Sequence, residues 1–424
     1  VEKPRILLIK PPERSEFDFG AFSLAALAAS VTDRAEVAIF DATHLSCVDA
    51  AARTWREAPD IVGVTVMGSG SVPSARRFIE ALVDHPARKP VTILAGGQGA
   101  TATPRPILES GASAVVLGEG ETTLRQVLAQ GALPGAPGLA FLVDGELRIG
   151  PPQPLVEPLD SLPHPARHLM PTPRDGVHLM ETSRGCPHLC AFCETTRFHG
   201  REWRPHSPAR VAEEAARLVE KHDAWVILFA DDNFAASGSR VLEICDRLAA
   251  GPRPATFMVS ARADDLLRDP SIIPALARGR IFRVTVGVET LEEGPASAIG
   301  KAIAPALYRE VFERLAAHGI FSLASFIVGL PGESDDFRHL LEPAVKAGPD
   351  AATFVPFLPM PGTPLAADAV DFAPSPENSR RAEELTEMFH GHPAVRRRLE
   401  KAVASGGIRG LMARATLNRR LGKA

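Results

Sequence analysis

The chain has little cysteine, only five residues in 424. Two of them, Cys47 and Cys245, stand alone and far from the others. That excludes a disulfide framework and makes a reducing cytoplasm the expected compartment. Long apolar runs are lacking as well. None reaches the ~20 residues of a membrane span, and the opening stretch VEKPRILLIKPP does not read as a secretory signal. Nor is one sign of charge in excess, and a net charge of −4 argues against a general nucleic-acid binder. What remains is an ordinary globular composition, 45% hydrophobic and 23% charged, in a chain long enough for two or three domains.

The other three cysteines are concentrated. Cys186, Cys190 and Cys193 fall within Glu181–Glu194, ETSRGCPHLCAFCE, with C-x3-C-x2-C spacing and no fourth cysteine nearby. Three thiolates hold three irons of a cubic 4Fe-4S cluster and leave the fourth iron open for chemistry. The competing reading is a Cys3His zinc site completed by His188 or His199, but neither histidine has the usual ligand spacing.

Two alternating regions flank this loop. Residues 1–133 carry short apolar runs at Arg5–Lys10, Glu36–Phe40, Ile61–Met67, Val91–Ala95 and Ala114–Leu117. Helical stretches lie between them, at Phe22–Thr32, Leu45–Glu57, Val72–Asp84 and Pro104–Glu109. The pattern predicts a parallel sheet covered on both faces, with ligands beyond the carboxyl ends of its strands. Glycine-rich turns fall at those ends: Met67–Ser71, Gly96–Ala100 and Gly118–Glu121. One such turn is an ordinary tight connection, whereas three in succession favour a large or phosphate-bearing cofactor.

Residues 134–175 read as a connector, with a hairpin at Leu139–Ile149 turning at Asp144-Gly145 and then a proline-rich strap. Residues 176–372 repeat a strand–helix unit six times. Strands are expected at Val177–Thr182, Trp225–Ala230, Ala255–Ser260, Phe282–Gly287, Phe321–Val328 and Ala352–Phe357. Six units make a sheet that curls without closing into the eight-stranded barrel. Residues 373–424 end the chain. Within them Ala394–Ala424 carries nine Lys or Arg against one Glu, expected as a basic amphipathic helix. It either covers the barrel's open side or makes peripheral contact with an anionic surface.

These pieces together resemble the cobalamin-dependent radical S-adenosylmethionine (SAM) enzymes, in their methyltransferase-like branch. VAIFDATHLS, PDIVGVTVMGS, ILAGGQGATATP and AVVLGEGETTL, within Arg5–Leu128, are similar to the Rossmann-like cobalamin-binding domain of that family. The cysteine triplet just after a first predicted strand is similar to the cluster loop of its partial (β/α)6 barrel. The resemblance implies cobalamin over the front strand ends, against Thr65, Met67, Gly68, Ser69, Gly96, Gly97, Gln98, Gly118, Glu119 and Gly120. Family members of the methionine-synthase type offer a D-x-H-x-x-G histidine to cobalt. Here the order is Asp41-Ala42-Thr43-His44-Leu45-Ser46, so His44 is expected at the surface and cobalamin without a protein histidine. The lower face is then met from the Lys10–Gly20 loop.

For SAM the resemblance implies contacts from Phe192, the aromatic before the last cysteine, and from successive strand ends. These are Asp231 and Asp232 after the second strand, Ser260 and Arg262 after the third, Glu289 after the fourth, and Gly329 and Leu330 after the fifth. Asp231 and Asp232 each have a helix-capping role as the bland alternative. Lys301 also matches the pattern of this branch.

The implied activity is methyl transfer to an unactivated carbon, or less often phosphorus, of a small-molecule substrate. In the family, cobalamin takes a methyl cation from one SAM. A second SAM is cleaved at the cluster, and its 5′-deoxyadenosyl radical removes a substrate hydrogen. An external one-electron reductant such as flavodoxin or ferredoxin is then required. Three other readings compete. One is the same cofactors without methyl transfer, for ring contraction, cyclisation or oxidation. Another is an RNA methylthiotransferase, which wants three further cysteines where the front region has only Cys47. The last is a non-catalytic cobalamin-binding protein.

Overall fold

Successive residues of a strand face opposite ways, and the first strand shows what this does. In the computed structural model, which describes residues 3–13, 21–171, 176–251, 255–334, 336–366 and 373–421, Ile6 and Leu8 of β1 (Arg5–Lys10) enter one core and Leu7 and Ile9 another. A run apolar on both sides therefore needs cover on both faces. The chain divides into two compact units. The first comprises Val1–Pro173, Cys193–Gly200 and Pro359–Phe372; the second comprises Arg174–Phe192, Arg201–Leu358 and Ala373–Ala424.

In the first unit β1, β2 (Glu36–Asp41), β3 (Ile61–Thr65), β4 (Thr92–Gly96) and β5 (Ala114–Val116) are parallel, in the order β2-β1-β3-β4-β5. The hairpin expected in the connector, β6 (Leu139–Val143) and β7 (Glu146–Ile149), instead continues this sheet as two antiparallel strands. Its alternation puts Leu139 and Phe141 in one core and Ala140 in the other. The helix expected at Phe22–Thr32 stops at Ala29, where backbone bonds back to Leu27 and Ala28 close a turn.

In the second unit six parallel strands run in the order β15-β14-β13-β12-β11-β8. They are β8 (Val177–Met180), β11 (Val226–Phe229), β12 (Thr256–Arg262), β13 (Ile281–Glu289), β14 (Phe321–Val328) and β15 (Ala351–Pro356). Among the described residues β8 and β15 do not pair, so the sheet is the open form expected from six units. A short ribbon, β9 (Ser183–Arg184) with β10 (Arg204–Pro205), brackets the cysteine loop. Between Gly287 and Glu289 the register of β13 on β14 slips by one residue, a bulge that frees Val288 from the ladder.

The C-terminal segment packs on this second core. The single basic helix expected over Ala394–Ala424 is two helices, Pro393–Ser405 and Gly407–Leu421, broken at Gly406 and Gly407, both with positive φ. Two of its arginines turn inward: Arg409 forks onto buried Asp350 at 2.6 and 3.0 Å, and Arg398 donates to the carbonyls of Val345 and Pro349. Ahead of them the helix Pro376–Gly391 buries Phe389 against Phe354, which stacks on Phe326 at 4.9 Å. No helix among the described residues is long and apolar enough to cross a membrane.

Candidate active site

The strand ends of the first unit are built from main chain. The Val66 amide donates to the Gly96 carbonyl at 2.7 Å, and the Gly99 amide donates to the Val66 carbonyl at 3.1 Å, locking two of the glycine turns together. That approach requires the glycines. Gly97 has φ +111°, and a Cβ there would lie 2.5 Å from the Val66 carbonyl oxygen. Gly118 has φ +71° with open space beyond it, and its amide donates to Thr101 Oγ1 at 3.0 Å.

Thr65 ends β3 half-buried, Met67 stands 52% exposed, and Gly96 ends β4. Gln98 and Gly120 open the helices Gln98–Ala102 and Gly120–Gln130. Two of the expected cobalamin contacts also have protein partners. Ser69 is buried, donating from Oγ to Glu194 Oε2 at 2.6 Å and from its amide to Oε1 at 3.3 Å. A Cβ on Gly68 would press on the same Glu194 carboxylate. Glu119 accepts from the Val156 amide at 2.8 Å and lies 3.6 Å from His199 Nδ1. His44 is exposed on the turn after β2, as expected. Of the Lys10–Gly20 loop, residues 14–20 lie outside the described residues.

The strand ends of the second unit are built from buried charge. Asp231, just past β11, is 4% exposed and accepts from the Thr182 amide at 2.7 Å, the Ser183 amide at 3.2 Å and the Ser183 hydroxyl at 2.9 Å, as well as from the Thr182 hydroxyl. Burial pushes its carboxyl above the usual range despite these donors. The residues held are those that lead into the cysteine loop. Beside them burial raises Glu181, yet Arg184 and His206 outweigh it and hold the carboxyl below its ordinary value.

The loop is held further along. The Ala191 amide donates to the Ile299 carbonyl at 2.9 Å, and His188 Nε2 lies 2.7 Å from Asp265 Oδ2. Asp265, 1% exposed, also accepts from Asn233 Nδ2 at 2.6 Å and from Arg268. Asn233 Oδ1 in turn accepts from the Arg262 amide at 3.2 Å. Arg262 places Nε and Nη2 on Asp264, both at 3.0 Å, and Nη1 3.3 Å from Cys190 Sγ.

Glu289 follows the β13 bulge with φ +66°, a left-handed conformation unusual for a side chain of its size. Its carboxylate meets Lys301 Nζ at 2.8 Å, and both side chains are about nine-tenths buried or more, at 10% and 4% exposure. The hydroxyl of Tyr308, the chain's only tyrosine, donates to the carbonyl of the bulged Val288 at 3.3 Å. Gly329 has φ +88° and its amide donates to Glu333, while Leu330 is buried. Ser260 and Phe192 are half-buried, and Asp232 is exposed.

The donor sets fit the implied groups. None of the five cysteines is in a disulfide, and the three of the loop are partly exposed, whereas Cys245 is buried with its thiol pushed up to about 12 by burial. The histidines a zinc site would call on face Asp265 and Glu119. Sequence reasoning gave no role to Glu194, Asn233, Asp264 or Asp265; each lies within three residues of a named one, Cys193, Asp232 or Arg262.

Family models match both regions: "Radical SAM superfamily" over residues 180–344 and "B12 binding domain" over residues 13–128. An uncharacterised methyltransferase of Pyrococcus horikoshii is 31% identical over 381 residues, 85% of this chain and 82% of that protein. The chain belongs to the cobalamin-dependent radical SAM methyltransferase family. The cofactors of this family are a 4Fe-4S cluster, SAM and cobalamin. Not every relative is a methyltransferase. The anaerobic magnesium-protoporphyrin IX monomethyl ester cyclase of Rubrivivax gelatinosus is 26% identical over 329 residues, 74% of this chain, and the chain spans only 59% of its length. The fold matches the radical SAM methyltransferase TsrM of Kitasatospora setae, solved with tryptophan and a SAM analogue, at a TM-score of 0.72. That match has 19% identity over 86% of this chain and 75% of the other.

Proposed function

We propose that the chain transfers a methyl group to an unactivated carbon, or less often phosphorus, of a small-molecule substrate, with Cys186, Cys190 and Cys193 as the cluster ligands. The reading is carried by three cysteines outside any disulfide in one short loop whose entry is fixed by buried Asp231 and whose interior is fixed by buried Asp265. When bound, the cofactors supply the methyl group and a radical that removes a hydrogen atom from the substrate.

The chain's own residues bind and orient. Arg262 and Glu289 offer one cation and one anion at neighbouring strand ends, which suits the charged carboxylate and ammonium of SAM. Ser260, Asp232, Phe192, Gly329 and Leu330 complete that side in this reading. The backbone turns at 65–69, 96–98 and 118–120 take cobalamin by close approach of main chain rather than by a histidine. Residues 1–133 then serve cobalamin, 134–175 connect, 176–372 serve SAM, and 373–424 close the second core. A one-electron donor such as flavodoxin or ferredoxin supplies the reducing electron.

The relatedness to a cyclase favours a second reading, the same cofactors without methyl transfer. Incubating the reconstituted protein with SAM and a low-potential reductant separates the two. Methyl transfer yields one S-adenosylhomocysteine per bound cobalamin together with 5′-deoxyadenosine. Deoxyadenosine without S-adenosylhomocysteine rejects it.

A further inference from the structure

We infer that Arg262 is a positioning residue for the cluster itself, donating a hydrogen bond to the Cys190 sulfur and raising the potential at which the cluster accepts its electron. The inference rests on the assignment of Cys190 as a cluster ligand. Three observations carry it. Arg262 Nη1 lies 3.3 Å from Cys190 Sγ, within reach for a donor to sulfur. The guanidinium is not free to choose that direction, because Nε and Nη2 fork onto Asp264 at 3.0 Å each and the Arg262 amide is tied to buried Asn233. The Arg262 side chain is only 11% exposed, so water competes weakly for the same hydrogen.

The charge is secure as well. A guanidinium stays charged in proteins, and Asp264 pairs with this one at 3.0 Å. A fixed cation with a donor on a ligand sulfur stabilises the more negative state of a cluster, and hydrogen bonds to sulfur are among the levers that set cluster potentials. The step concerned takes one electron from an external low-potential donor into the oxidised cluster, with no bond formed and no proton moved. A guanidinium assigned only to the SAM carboxylate would leave the potential of the SAM-free cluster alone.

The test is an EPR-monitored reductive titration of the full-length, cluster-reconstituted protein without SAM, using dithionite and mediators. Arg262→Gln removes the cation and the fork. At the wild-type midpoint its ratio of reduced to oxidised cluster is expected to fall about tenfold, ~59 mV for a one-electron couple. Arg262→Lys keeps the charge and loses the fork, and is expected to show part of that shift. If the Gln variant does not hold its cluster, the Lys variant decides: a midpoint more negative than wild type supports the inference. Unchanged midpoints with four irons bound overturn it, even where SAM binding is weakened. A wild-type protein that yields no reduced-cluster signal overturns the cluster assignment as well, so the two failures are distinguishable.

Discussion

The strand ends of the two units differ in what they are made of. Those of the first unit are main chain: carbonyls and amides of Val66, Gly96 and Gly99 packed so closely that a Cβ on Gly97 would collide with a carbonyl oxygen. Those of the second unit are ionic side chains in contact: buried Asp231 and Asp265, the buried pair Glu289 with Lys301, and Arg262 with the half-exposed Asp264. A backbone cradle tolerates changes of neighbouring side chains and fails when a glycine gains one. A charge network fails when one partner is removed, because the remaining group is left buried and unpaired.

The largest break expected is chemical. Replacing Cys190 with Ala removes a cluster ligand, and iron and sulfide analysis should then find no 4Fe-4S cluster retained, with loss of SAM cleavage. Next is Lys301→Met, which strands Glu289 in the core. Urea unfolding should show a loss of about 3–5 kcal/mol, recovered in part by adding Glu289→Gln. Gly97→Ala acts on the other unit. It should cost roughly 1–3 kcal/mol through the forbidden φ and the close carbonyl, and should lower the cobalamin retained on gel filtration. Ser69→Ala removes one bond to the Glu194 carboxylate, so a loss of about 1.5–3 kcal/mol at most is expected by the same unfolding measurement. The smallest effect falls on Cys245. At about pH 8 in the folded apoprotein, iodoacetamide should alkylate the loop cysteines and leave Cys245 unmodified, as read by peptide mass mapping.

How much of this was legible depended on whether the signal was local. Arg5–Lys10 and Phe321–Val328 are strands over the residues expected, and Val72–Asp84 and Pro104–Glu109 are helices over theirs, because continuous or periodic apolar runs bound them. The strand expected to end at Gly287 runs on to Glu289, since a bulge and a left-handed glutamate leave no mark in the pattern. The C-terminal charge count suggested one basic amphipathic helix. The count does not say where a side chain points, and Arg398 and Arg409 spend theirs inside.

At the site, three cysteines in eight residues announced a cluster unaided. The partners that tie Asp231 and Asp265 to the cysteine loop and its entry lie 48, 49 and 77 residues away in the chain, a distance that no spacing rule spans. Glu194 and Asp264 sat beside recognised residues and were passed over, since one acidic residue next to a motif resembles any other until its partner is seen.

In the proposed function the cysteine loop holds a cluster with one iron open to SAM. The direct measurement is the EPR spectrum of the reduced, reconstituted protein before and after SAM is added. The account predicts the signal of a reduced 4Fe-4S cluster whose g values shift when SAM binds the open iron. A signal that SAM leaves unchanged, or no cluster signal at all, would contradict it.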